Sequence, residues 1–142
     1  MIKHSKLINA SQSQLFDLTQ DYTRRFYWDP FPESYDFMNG NVVDKGLQIN
    51  VKAKNGLSMD VEYVSFNRPK VAAIRMFNGP WFIRKFAGSW LLQPVNSNTT
   101  EVIFKYNIIA RPSWISSFIN FVFSKMAEKR LSALKSYIES KK

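Results

Sequence analysis

The chain has 142 residues, 45% hydrophobic and 22% charged, a balance that excludes a disordered polypeptide and suits a single domain spanning 1–142. It has no cysteine, which excludes disulfides, thiolate metal centres and a cysteine nucleophile. Twenty Lys and Arg against eleven Asp and Glu leave a formal charge of +9, and 15% of the residues are aromatic, so an acidic partner and a ring-rich interior are the features to explain.

In chain order, the segment up to Ile8 lacks the apolar run and small-residue cleavage site of a signal peptide. No stretch reaches the ~18 apolar residues of a membrane span, and a cytoplasmic protein is expected. Residues 3–10 read as extended. Ser11 with Gln14 makes a capping-box pattern, predicting a short helix that carries Leu15, Phe16 and Leu18. A second turn or helix runs over 21–26, and Pro30 and Pro32 stop it.

From Ser34 to Arg111 the apolar period is two. Leu47, Ile49, Val51 and Ala53 form one series, Met59, Val61 and Tyr63 another, and Val102, Phe104, Tyr106 and Ile108 a third. Turn chemistry at Asn39-Gly40, Asn55-Gly56, Arg68-Pro69, Asn78-Gly79-Pro80 and Asn96-Ser97-Asn98 divides the region into about six strands with hairpin-length links, an antiparallel meander. Beyond Pro112 the pattern turns helical: Ser113 reads as an N-cap, and Ile115, Ile119, Val122, Met126, Leu131, Leu134 and Ile138 recur at three- and four-residue spacing. With no Gly or Pro after Pro112, one helix of about 25 residues is expected over 113–140.

The fold class is therefore α+β, a curved antiparallel sheet and a long C-terminal helix burying their apolar faces against each other. The inner face of the sheet is expected to carry Phe37, Ile49, Val51, Met59, Val61, Tyr63, Ile74, Met76, Phe86, Trp90, Phe104, Tyr106 and Ile108, with Gly79 and Gly88 relieving its bend. Large rings on a concave wall pack less completely than branched aliphatics, which points to an apolar pocket between sheet and helix. The alternative is that the same rings fill a solid core.

The order of these elements resembles the START/Bet v 1-like superfamily (SRPBCC, polyketide cyclase/dehydrase-like), whose fold is the helix-grip. The resemblance is carried by Ile8-Asn9-Ala10-Ser11, Phe16 to Asp21, Tyr27-Trp28-Asp29-Pro30-Phe31, Gly88 to Pro94 followed by Thr99 to Val102, and Arg130-Leu131 with Leu134-Lys135 and Ile138-Glu139. It implies two short helices after strand one, about seven strands in all, and a tunnel for a lipid, polyketide or aromatic molecule. It also implies Trp28 and Phe31 at the pocket's mouth, with Trp114, Phe118, Val122 and Met126 lining it from the helix.

Catalytic residues are not legible. The sole histidine, His4, reads as a solvated side chain at the frayed start of strand one, and without Cys or a second His neither a metal site nor a cofactor is expected. Asp29 reads as a turn former rather than the partner of Glu33, and Arg75, Arg84 and Lys85 as surface charge around Trp81. A cyclase would need charged groups inside the pocket, so an internal Arg or Asp favours that alternative. The basic excess is compatible with an anionic ligand head group or an anionic membrane; no sequence-specific nucleic-acid motif is present. Trp114, Ile115, Phe118, Ile119, Phe121, Val122 and Phe123 make the helix start apolar around most of its circumference. Phe121 and Phe123 are therefore not expected to be buried together, leaving a face for a homodimer partner, a lid or a membrane, and the alternative function is a non-catalytic module docking on a protein, a ribosome or an anionic membrane.

Overall fold

The computed structural model describes residues 2–140; the basic pair 141–142 lies outside them. Strand β1 (Ile2–Ile8) leads into helix α1 (Gln12–Gln20), whose first turn is capped by Ser11 accepting from the Gln14 amide at 3.2 Å, as the capping pattern predicts. A one-turn helix α2 (Arg25–Trp28) follows, starting later than expected because Asp21 folds its side chain back onto the Thr23 and Arg24 amides and holds 21–24 as a turn.

Six strands follow: β2 (Pro32–Phe37), β3 (Gln48–Ala53), β4 (Ser58–Asn67), β5 (Val71–Asn78), β6 (Ile83–Asn96) and β7 (Thr99–Ala110). They pair antiparallel as a meander, and β1 closes the far edge against β7, giving the seven-stranded order β1-β7-β6-β5-β4-β3-β2. After a 3₁₀ turn (Ser113–Ile115), helix α3 (Ser116–Glu139) runs back across the concave face. This is the helix-grip architecture. Ser113 does not cap α3; the 3₁₀ turn displaces the helix start and its N-cap position is Ile115.

The sheet bends at register shifts between Tyr63 and Ser65 in β4 and between Ile83 and Lys85 in β6. An extra residue on one strand increases local twist, so bulges supply the curvature expected of glycines. Gly79 lies outside the strands, between β5 and β6. Gly88 has a different use: register places it between Ile74 of β5 and Tyr106 of β7 in one inward row.

Helix α3 buries Ile119, Phe123, Ala127, Arg130, Leu131, Leu134 and Ile138. Leu131 and Leu134 are fully enclosed, whereas Trp114, Phe118 and Phe121 near the helix start are exposed. Phe123 goes inward and Phe121 outward, as the wrap-around apolar pattern requires. His4 is not a frayed, solvated residue. Its register partner is Phe104, so its ring points to the concave side, where Nε2 hydrogen-bonds Ser124 Oγ of α3 at 2.9 Å.

Candidate functional site

Between the concave face and α3 the packing does not close. A cavity of about 60 Å³ remains, walled by the sheet residues Val51, Met59, Val61, Tyr63, Ile74, Phe86, Gly88, Trp90, Phe104 and Tyr106. Ala72, Phe31, Phe123, Met126 and Ala127 complete the apolar wall, with Gln20, Tyr22, Arg25, Tyr35 and Arg130 as its polar members. The space follows from side-chain size. Ala127 and Gly88 carry almost no side chain at the points where helix and sheet face each other, and the neighbouring rings are too stiff to fill the gap.

Most of the expected sheet residues, Phe31 and Met126 reach this wall; Ile49 and Ile108 are buried in the core away from it, and six residues expected at the pocket also miss it. Trp28 is buried behind it, packed edge-on against Trp90 with centroids 6.2 Å apart. Its indole Nε1 has no hydrogen-bond partner among the described residues. Phe37 lies near the sheet edge against the Tyr22 ring, and Met76 lies beside Gly79 with its sulfur filling the space a Cβ would take. Trp114, Phe118 and Val122 face outward, because α3 presents Phe123, Met126, Ala127 and Arg130 to the cavity instead. That is a rotation of about 100°, one residue of helix. The stripe 114, 118, 122 and the stripe 115, 119, 123 are equally apolar in sequence, so periodicity does not rank them.

The sequence pattern does not mark the polar wall residues. Arg25 is buried; its Nε donates to the Thr19 carbonyl at 2.6 Å and its Nη1 to the Tyr35 hydroxyl at 3.2 Å. Its guanidinium carbon stands 4.7 Å from the Tyr22 ring centre. Arg130, on α3, grips Asp29 through contacts of 3.0, 3.1 and 2.8 Å. It also lies over Phe31, Trp90 and Phe104 at 5.0, 5.3 and 5.2 Å. Asp29 does form a turn, accepting from the Phe31 amide at 3.0 Å, yet the same carboxylate anchors Arg130. Glu33 is not its partner; it pairs with Lys52 at the surface.

A buried chain of neutral donors adjoins the arginines. Tyr22 and Tyr63 share a 2.5 Å hydroxyl contact, and Tyr63 donates to Gln20 Oε1 at 2.7 Å. Burial pushes the Tyr63 phenol well up from its ordinary value, and Tyr35 up as well, against the pull of Arg25. Both phenols are therefore neutral near pH 7. Tyr106, also on the wall, is pushed up to about 12 by burial, opposed by a hydrogen bond with Ser124. Among the described residues no group of His, Asp and Glu is placed to hold a metal ion.

These features define a helix-grip domain with an internal cavity. The chain belongs to the polyketide cyclase / dehydrase and lipid transport family, whose model matches residues 2–139. Its fold is similar to that of a START superfamily protein from Mycobacterium smegmatis (TM-score 0.84, 10% identity, 99% of this chain and 98% of that one). The ZhuI aromatase/cyclase from Streptomyces sp. R1128 superposes with a TM-score of 0.84 at 12% identity, covering 97% of this chain and 92% of that one. Norcoclaurine synthase from Thalictrum flavum follows at 0.75 and 8%, covering 99% and 87%. The search of curated proteins by sequence finds no match.

Proposed function

We propose that this protein binds a hydrophobic small molecule of lipid, polyketide or aromatic type in the cavity between the sheet and α3. The observation that carries this reading is the cavity itself: apolar walls on the sheet and helix sides, and a small polar cluster at Arg25, Tyr63 and Gln20 to fix orientation. A drug-sized guest takes ~300 Å³ or more. Its entry therefore requires the half-buried Phe31, Phe86 and Met126 to swing outward. Burial of apolar surface, at about 25 cal/mol per Å², drives uptake. Native mass spectrometry of protein purified from its own cells, together with titration by the neutral dye Nile red, tests the reading. A bound small molecule, or a dye signal displaced by one, is expected; the absence of both overturns it.

A cyclase-like activity is the second reading, favoured by charged groups that reach the cavity. Arg25 and Arg130 stand where they would stabilise an enolate forming on a bound polyketide, as preorganised donors do for developing negative charge. Turnover of a poly-β-ketone model compound by the protein, lost in Arg25→Met, would establish it; binding without turnover leaves ligand binding alone.

A third reading concerns the outer surface and rests on different residues. Trp81 and Trp114 are 73% and 79% exposed, Phe118 and Phe121 are exposed on the helix that follows Trp114, and Arg111 ties the two loops together by donating to the Trp81 carbonyl at 2.6 Å. No Asp or Glu occurs between Glu62 and Glu101 or between Glu101 and Glu128, while Arg84, Lys85, Arg111 and Lys125 fall there. Exposed indoles and rings rimmed by cations suit an anionic bilayer surface. Co-sedimentation with phosphatidylglycerol vesicles, weakened by salt and by Trp114→Ala, is expected; a salt-insensitive dimer that ignores vesicles overturns it in favour of self-association.

A further inference from the structure

We infer that the guest of the cavity carries a carboxylate, or an equally planar oxyanion, that pairs with Arg25. The inference rests on the ligand-binding reading above and adds the charge of the ligand to it. Arg25 and Arg130 bring two positive charges to the wall and Asp29 brings one negative charge behind it, so the site carries 2 − 1 = +1. The two arginines are not equivalent. Asp29 is committed to Arg130 through both oxygens and to the Phe31 amide through Oδ1. Arg25 takes part in none of the ion pairs among the described residues.

Asp29 is the one carboxylate whose charge reaches Arg25, and its hydrogen bonds go to Arg130 instead; the groups in direct contact with Arg25 are neutral. Its hydrogen-bond partners are a peptide carbonyl and a phenol. Tyr22, Tyr35 and Trp90 offer ring faces at 4.7, 5.8 and 6.0 Å, which attract a cation without cancelling its charge. A guanidinium has five N–H donors and does not lose its proton in proteins; two are used here, and 5 − 2 = 3 remain. A buried, permanently charged side chain with free donors beside a cavity is complementary to an anion entering that cavity. Its planar fork matches a carboxylate in bidentate geometry. The apolar stretch of wall formed by Val61, Ile74, Phe86 and Met126 requires that the anion carry an apolar body, which separates it from an inorganic ion.

Calorimetric titration with 2-naphthoate and its neutral isostere 2-naphthamide isolates the charge, because the two share shape and apolar area. The protein is expected to bind naphthoate at least about tenfold more tightly than naphthamide, and Arg25→Met to bring the two within about twofold. Arg25→Lys, which keeps the charge but not the fork, should retain part of the preference and covers the case in which the methionine variant fails to fold. Equal affinity for the two compounds in the unaltered protein, or a preference that survives undiminished in Arg25→Met, overturns the inference. So does binding of neither compound while Nile red still binds, an outcome that leaves the apolar-cavity reading standing. If Nile red also fails to bind, both fall. Displacement of naphthoate by millimolar chloride would show a small-anion site and overturn the requirement for an apolar body.

Discussion

Arg130 on α3 and Asp29 at the end of α2 are one hundred and one residues apart and hold each other by three contacts of 3.0, 3.1 and 2.8 Å, with the aspartate side chain wholly out of water. This pair fastens the short-helix region to the closing helix, and so helps set the distance across which the cavity opens. Removing one member of a buried ion pair leaves the other charge without compensation, at a cost of ~3–5 kcal/mol. Asp29→Asn is expected to lower unfolding free energy in urea by about 3 kcal/mol or more. The double variant Asp29→Asn, Arg130→Met should recover at least half of that loss. Additive losses would mean the pair contributes only local packing.

The frame was readable from the residues because each element carries a pattern that solvent enforces. The period-two series of Met59, Val61 and Tyr63 shows one wet face, and Ser11 before Gln14 sets a helix start. The polar half of the site was hidden for the converse reason. Arg25, Arg130 and Asp29 are charged types whose ordinary place is the surface, and composition assigns them there. One signal was available: Arg130 falls on the stripe Phe123, Ala127, Arg130, Leu134, where an apolar residue belongs. A charge at such a position needs a partner, and Asp29 is that partner. His4 is a similar case. Its alternation with Ile2, Lys6 and Ile8 places it on the face that includes the fully buried Ile8, a stronger signal than its terminal position.

Alkaline titration provides a check on the buried phenols. Burial lifts Tyr106 to about 12 and Tyr63 well above its ordinary value. A folded-state pKa above the unfolded value of ~10 means the neutral phenol is favoured by folding. That stability is fully present below pH ~10 and is lost as pH rises through the folded value. Ultraviolet difference titration should therefore show tyrosines that resist ionisation until unfolding begins. Tyr106→Phe should flatten the decline in stability between pH ~10 and ~12. An early, fully reversible titration of all six tyrosines in the folded protein would contradict this.

Acid behaviour tests a surface link. Arg68 donates to both oxygens of Asp17 at 2.7 and 2.8 Å and so holds that carboxyl below its ordinary value, against a smaller desolvation effect. A depressed folded-state pKa gives stability that is present above the unfolded value of ~3.9 and lost as pH falls through the folded one. Both side chains are about half exposed, so solvent screening keeps the contribution at pH 7 small. Arg68→Ala should reduce the slope of stability against pH below ~4 and leave midpoints in molar salt unchanged. A salt-independent loss would point to packing by the arginine stem.

Gly88 separates the cavity's role in stability from its role in binding. A Cβ at this position would stand 3.5 Å from the tip of Phe86 and 3.7 Å from the tip of Phe104, ordinary contact distances, and would point into the cavity. Glycine inside a strand costs roughly 0.5–1 kcal/mol relative to alanine through chain entropy. Gly88→Ala is therefore expected to hold or raise the denaturation midpoint while weakening Nile red binding severalfold, and Gly88→Leu to abolish binding in a protein that still folds. Filling space normally strengthens a core whose only purpose is packing. A glycine where alanine fits, facing a gap between Ile74 and Tyr106, leaves the space that the proposed guest would need. Undiminished dye binding in both variants would place the guest elsewhere on the molecule.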